Sequence, residues 1–283
     1  MAEAMDALPP SRGILRAIWT LAQPPAFTPR SPDFEAVRYR ATAARGVAPL
    51  IDVYLPDGKG PHPSLLIVHG GGFVIGSRRM KPVRYLATRL CDAGIAVGAL
   101  DYRLIFRGGR LEEALDDVAS AAAWWRKQID AFSLDRERVS IAGFSAGATL
   151  ALLHVASSRH PYHRLVSFFG VYDFATLNGR MAGWLRRLLL RSADRRSWAA
   201  RSPVACSNFS TPLLLLHGTA DSLVPLAHAH RLQQRRQALG LPVHLLEYPG
   251  MPHGFLNDAR LRETEAAATA VIDFLADETP GVR

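Results

Sequence analysis

The chain reads as an α/β protein, with a mostly parallel central sheet of about eight strands, helices on both faces and a small helical lid. Three features predict this. From Glu35 onward short β-type runs alternate with longer helical patterns, the first two runs lack a helix between them, and one long segment late in the chain interrupts the alternation.

Residues 1–34 are expected to form an N-terminal arm whose apolar patch, Ile14 to Leu21, carries one helix, and residues 35–283 a single domain. The runs Ala36 to Thr42 and Ile51 to Leu55 should pair as an antiparallel hairpin at the sheet edge. Parallel strands are then expected at Leu65 to His69, Ala96 to Leu100, Val139 to Ala142, Leu165 to Phe169, Leu213 to His217 and Val243 to Tyr248. Helical patterns cover Pro82 to Asp92, Leu111 to Gln128, Ala146 to Ser157, Leu226 to Ala238 and Ala259 to Ala276. Right-handed crossovers place the loops that follow the strands along one rim, where open α/β sheets bind ligands.

The insertion, at about residues 175–208, is longer than an ordinary αβ connection. Met181, Leu185, Leu188 and Leu189 fall on one helical face and Arg180, Arg187 and Arg191 on another, so it reads as a lid at the rim. A cap helix packed over a pocket is favoured over one lying on a membrane surface.

Composition excludes several classes. With 283 residues, 48% of them hydrophobic, the chain can bury a full core, which rules out disorder, collagen and coiled coil. Cys91 and Cys206 cannot build a disulfide framework and lack metal spacing, and no cofactor or metal is implied. No apolar run approaches the roughly 18 residues a membrane span needs. Glu3 and Asp6 stand where a secretory signal requires positive charge, so a cytoplasmic protein is expected. The net charge of +9 (34 − 25) invites a nucleic-acid partner, but it is local: Arg180, Arg186, Arg187, Arg191, Arg195, Arg196 and Arg201 stand against Asp194 alone. No nucleic-acid-reading motif accompanies them, so no such partner is expected.

The strongest chemical signal is Gly143-Phe144-Ser145-Ala146-Gly147, set between a β-type run and a helical one. A strand-to-helix turn this sharp tolerates no Cβ at the flanking positions, and it pushes the Ser145 hydroxyl out at a helix N-terminus. His69-Gly70-Gly71-Gly72-Phe73 ends an earlier strand, and its glycines leave amides free to hold an oxyanion; phosphate-loop patterns are absent.

A serine nucleophile needs a base, and the base an orienting carboxylate. Asp221 and His253 follow late strands, in loops that should open on the rim of Ser145. Asp173 is the rival acid, and Asp101 reads as a residue holding loops together. His217 closes a buried strand and is expected to satisfy backbone groups, whereas His228 and His230 are expected on an exposed helical stretch.

The HGGGF, DYRL, GFSAG, HGTAD and PHGF segments, in this order from residue 69 to 255, resemble the α/β-hydrolase superfamily, specifically esterases related to hormone-sensitive lipase. Phe144 replaces the aspartate usual in that elbow, which makes the chain more similar to a bacterial feruloyl or acetyl esterase and kynurenine formamidase-like branch. The resemblance implies hydrolysis of small acyl esters, or alternatively of amides, with Ser145 as nucleophile, Asp221 as acid and His253 as base. It further implies that the amides of Gly71, Gly72 and Ala146 bind the oxyanion, with Phe73, Phe144 and Phe255 at the substrate pocket.

Overall fold

Continuous apolar runs become strands buried on both faces. The computed structural model describes residues 25–41, 49–177, 180–192 and 194–277. The eight strands are β1 (Phe34–Arg38), β2 (Leu50–Tyr54), β3 (His62–Val68), β4 (Ala96–Leu100), β5 (Leu134–Phe144), β6 (Leu165–Phe168), β7 (Leu213–Gly218) and β8 (Val243–Tyr248). They form one sheet in the order β1-β2-β4-β3-β5-β6-β7-β8. β1 and β2 are antiparallel, β2 runs antiparallel to β4, and every later pair is parallel. The edge hairpin and the parallel body are thus as expected.

Alternation along each strand divides the core in two. Leu65 and Ile67 of β3 and Leu214 and Leu216 of β7 face the helices α1 (Lys81–Asp92) and α7 (Arg262–Leu275). Leu66 and Val68, with Leu213 and Leu215, face α2 (Leu111–Lys127), α3 (Ala146–Ser157) and α6 (Ala227–Ala238). The Trp125 ring of α2 packs so closely over Gly98 of β4 that a Cβ there would sit 2.9 Å from it. Within α6, Arg236 is fully buried, and its guanidinium donates to the carbonyls of Ser207, Phe209, Thr211 and Pro242 at 2.8–3.2 Å. It ties two loops to one helix, and burial lowers its pKa to about 10, with no carboxylate paired to it among the described residues.

Several boundaries differ from expectation: β3 starts three residues earlier, at His62, and α7 three residues later, at Arg262. β1 starts earlier, at Phe34, and bulges at Ala36, whose φ of 54° frees its amide to donate to Asp52 at 2.7 Å. β5 starts five residues earlier than the apolar run because Leu134 pairs with His62 beyond the main ladder. Part of the stretch expected as an arm is joined to the sheet: Asp33 donates to Val53 at 2.8 Å, and Arg30 donates to Leu55 at 2.8 Å. The expected helix at Ile14 to Leu21 lies outside the described residues, as does Thr42. Among the described residues no helix is long and apolar enough to cross a membrane.

Candidate active site

Ser145 occupies the junction of β5 and α3 with φ 51° and ψ −113°, a conformation strained for any residue but glycine. Its amide donates to Phe168 at 2.8 Å, which anchors the turn to β6. A Cβ on Gly143 would collide with the carbonyl of Gly147, and one on Gly147 with the carbonyls of Val68 and His69. Both flanking glycines are therefore demanded by close backbone approach.

The loops after β7 and β8 bring the other two groups to the serine. His253 Nε2 lies 3.0 Å from Ser145 Oγ, and its Nδ1 lies 2.7 Å from Asp221 Oδ2. These loops are stitched together: Thr219 N donates to Tyr248 O at 3.0 Å, Ala220 N to Met251 O at 3.1 Å and Gly250 N to Thr219 Oγ1 at 2.9 Å. Burial alone would raise the pKa of Asp221. Bonds from His217 and His253 and the amide of Val224 outweigh it and hold the carboxyl down at about 2.

On the other flank, the loop after β3 presents Gly71 at φ 111° and Gly72 at φ 63°. Their amides donate to no protein acceptor among the described residues, while the Gly71 carbonyl accepts from Val74 and Ile75 at 3.1 Å. Arg78 pins the loop end. Its backbone amide and guanidinium reach Asp101 at 2.7 and 2.5 Å, and its Nε lies 2.7 Å from Asp52. His69 stacks on Tyr102 at 4.3 Å and donates through Nδ1 to Gly70 O at 2.7 Å; burial lowers its pKa. Asp101 thus holds loops together, as its position in the sequence suggests.

Other expectations fare differently. Phe73, Phe144 and Phe255 are all buried, at 2–3% exposure; Phe144 stacks on Phe168 at 4.4 Å and meets the Phe169 ring at 6.2 Å. The Phe144 side chain lies on the same face of β5 as Ala142, in the half of the core that faces α1 and α7. Asp173 does not approach His253; it caps the turn at Phe174–Thr176 and pairs with Arg231 at 3.3 Å. His228, expected on an exposed stretch, is buried, with its Nδ1 3.4 and 3.3 Å from the amides of Tyr172 and Asp173, and burial lowers its pKa to about 4. His230 is at the surface, 2.8 Å from Glu247. Sequence reasoning missed Phe169, whose ring meets the His253 ring edge-on at 4.9 Å. Its place at the end of β6, on the rim, was the available signal.

The insertion contains α4 (Arg180–Leu190) and α5 (Arg195–Ala200). The side chains of Arg180, Met181 and Leu185 lie outside the described set, whereas Leu189, Leu190 and Trp198 are buried in the core. Arg186 lies 4.3 Å over the Trp198 ring and donates to Phe174 O at 3.2 Å. Arg201 donates to Leu190 O at 2.8 Å and pairs with Glu112; Arg191 pairs with Glu113 at 3.3 Å, and Arg110 donates to Leu188 O. Two of the seven arginines, Arg191 and Arg201, thus hold the segment against the start of α2.

Comparison with known proteins gives the lineage. The BD-FAE family model matches residues 51–235. Esterase LipC of Mycobacterium tuberculosis is 31% identical over 231 residues, covering 73% of this chain and 57% of that protein. The probable carboxylic ester hydrolase LipM of the same organism is 32% identical over 244 residues, covering 78% and 56%. The chain therefore spans little more than half the length of these curated relatives. A truncated carbohydrate esterase from gut microbiota superposes with a TM-score of 0.75 at 19% identity, covering 90% of this chain and 99% of that one. An acetyl ester-xyloside bifunctional hydrolase from Caldicellulosiruptor lactoaceticus gives 0.74 at 20% identity, covering 87% and 97%. With well over half its length inside the family model and this sheet around the serine turn, the chain belongs to the BD-FAE family and has the α/β-hydrolase fold.

Proposed function

We propose that the chain is a serine carboxylic ester hydrolase acting on small, short-chain acyl esters through an acyl-enzyme intermediate. The observation that carries this reading is the hydrogen-bonded line from Asp221 through His253 to Ser145, at 2.7 and 3.0 Å. The relatives named esterase and carboxylic ester hydrolase support the ester linkage.

In this mechanism His253 Nε2 takes the Ser145 proton as Oγ attacks the ester carbonyl. Nδ1–H stays on Asp221, whose low pKa keeps it anionic, so the imidazolium that forms has a fixed counter-charge. The tetrahedral oxyanion is held by the amides of Gly71, Gly72 and Ala146, each such donor being worth about 3 kcal/mol in the transition state. The carbon–oxygen bond breaks, and the alcohol leaves with the proton from His253. Water then repeats the sequence, with His253 as base, and frees the acid. The modest length of the insertion, at about residues 175–208, supports short acyl groups over long-chain lipids.

Fluorophosphonate labelling with peptide mapping, alongside a p-nitrophenyl acetate, butyrate and palmitate panel, tests the reading. Labelling should fall on Ser145 and vanish in Ser145→Ala, with acetate and butyrate hydrolysed faster than palmitate. No labelling of the wild-type protein overturns the mechanism, and a palmitate preference overturns the short-chain assignment. N-formylkynurenine cleaved faster than aryl acetates would make the chain an amide hydrolase of the formamidase type.

A further inference from the structure

We propose that His217 is a positioning residue for the acid of this site, acting on the oxygen through which Asp221 holds His253; the assignment rests on the hydrolase reading above. His217 lies near the end of β7 and is fully buried, as is the Asp221 side chain. Its Nε2 lies 2.8 Å from Val224 O and 3.2 Å from Asp221 Oδ2, so it faces two acceptors and carries the ring proton. Its Nδ1 meets no polar partner among the described residues.

The Asp221 carboxylate is accordingly held at both oxygens. Oδ1 accepts from the amides of Leu223 and Val224 at 2.9 and 2.8 Å, and Oδ2 is shared by His253 and His217. The single Nε2 proton of His217 is divided between Val224 O at 2.8 Å and Oδ2 at 3.2 Å, and together these contacts fix the carboxylate plane. The backbone amides come from the same short loop as Asp221 itself. His217 comes from the sheet, so it alone of these donors ties the carboxylate to the rigid scaffold below.

The placement has an electronic effect as well. A donor on Oδ2 draws off charge that would otherwise stabilise protonated His253; removing it should therefore raise the pH at which His253 becomes an effective base. The other groups facing this pair are the Ser145 hydroxyl and, from α6, His228, beyond which stand Asp173 and Arg231. A residue that merely filled the core at this point would leave that titration alone.

Three variants separate the possibilities. His217→Gln can keep an N–H near the Nε2 position, whereas His217→Leu keeps volume alone and the amide of His217→Asn is too short to reach. The wild-type and variant proteins are compared by the pH dependence of kcat and kcat/KM on p-nitrophenyl acetate, and by the low-field proton resonance of His253 Nδ1–H. His217→Leu should lose roughly tenfold or more in kcat with little change in KM, as expected for a displaced catalytic group. Its acidic limb should move up by about half a pH unit, and the low-field resonance should shift or broaden. His217→Gln should recover most of the kcat, the limb and the resonance. If His217→Leu does not fold, His217→Asn takes its place against His217→Gln. An unmoved limb and resonance in a folded Leu or Asn variant would overturn the assignment, as would equal impairment of the Gln and Leu variants. The resonance reports the bond between Asp221 and His253 without turnover, so it tests the positioning even if the wild-type protein hydrolyses no ester.

Discussion

The two flanks of Ser145 are held by different physics. On the side of the glycine loop, the chain is fixed by charge: Arg78 is buried between Asp52 and Asp101 and reaches both carboxylates. On the side of His253, the loops bond to each other through their backbones and approach so closely that a Cβ on Gly218 would collide with the carbonyl of Met251. The difference follows from what each loop must do. On the proposed mechanism the glycine loop offers its amides to substrate and so cannot use them on its neighbours, and side chains hold it from outside. Loops that contribute only side chains can use their amides on one another.

Three measurements press on this contrast. The largest effect should come from Asp221→Asn, which keeps hydrogen-bonding atoms but removes the charge and favours the wrong His253 tautomer. The fold should survive by circular dichroism while kcat falls by roughly 10⁴-fold, as in other triads; a loss below tenfold would detach Asp221 from the chemistry. Next is Arg78→Leu, which takes the guanidinium away from two carboxylates, one of them, Asp52, only 1% exposed. Urea unfolding should show a loss of about 3–5 kcal/mol, together with weakened kcat/KM; unchanged stability would mean that the charged network holds nothing. The smallest is a pH effect on the backbone-bonded flank. The Asp221 carboxyl has a pKa of about 2 in the folded chain against an ordinary 3.8, so the folded state binds this proton less readily than the unfolded one. Its contribution, about 2 kcal/mol, is complete above roughly pH 4 and is lost as pH falls toward 2. Urea midpoints of the wild-type protein should drop across that window more steeply than those of Asp221→Asn.

Most of the sheet was legible because its strands are apolar runs separated by helical patterns, and Ser145, Asp221 and His253 because each follows such a run. What escaped has identifiable causes. β5 extends back through Asp135, Arg136, Glu137 and Arg138, charged residues that hide a strand whose partner is a single residue of β3. The bulge in β1 depends on a bond from Ala36 to Asp52, a tertiary contact that no local pattern announces. The helix α6 was legible, but its inward face carries His228, Leu232 and Arg236 at spacings of four, and the burial of a histidine and an arginine there has no signal in the pattern. The site was recognisable as three side chains; the shared oxygen that links His217 to Asp221 depends on where a loop returns in space.

The backbone of Ser145 sets endurance against reactivity. Glycine would occupy φ 51° without strain, so the sequence that suits this turn best in thermal terms is one without a hydroxyl. Random drift filtered only for survival of the fold would favour that replacement. Retention of serine there is affordable only while the surrounding sheet keeps stability in reserve, and heat-hardening substitutions are best sought far from residue 145.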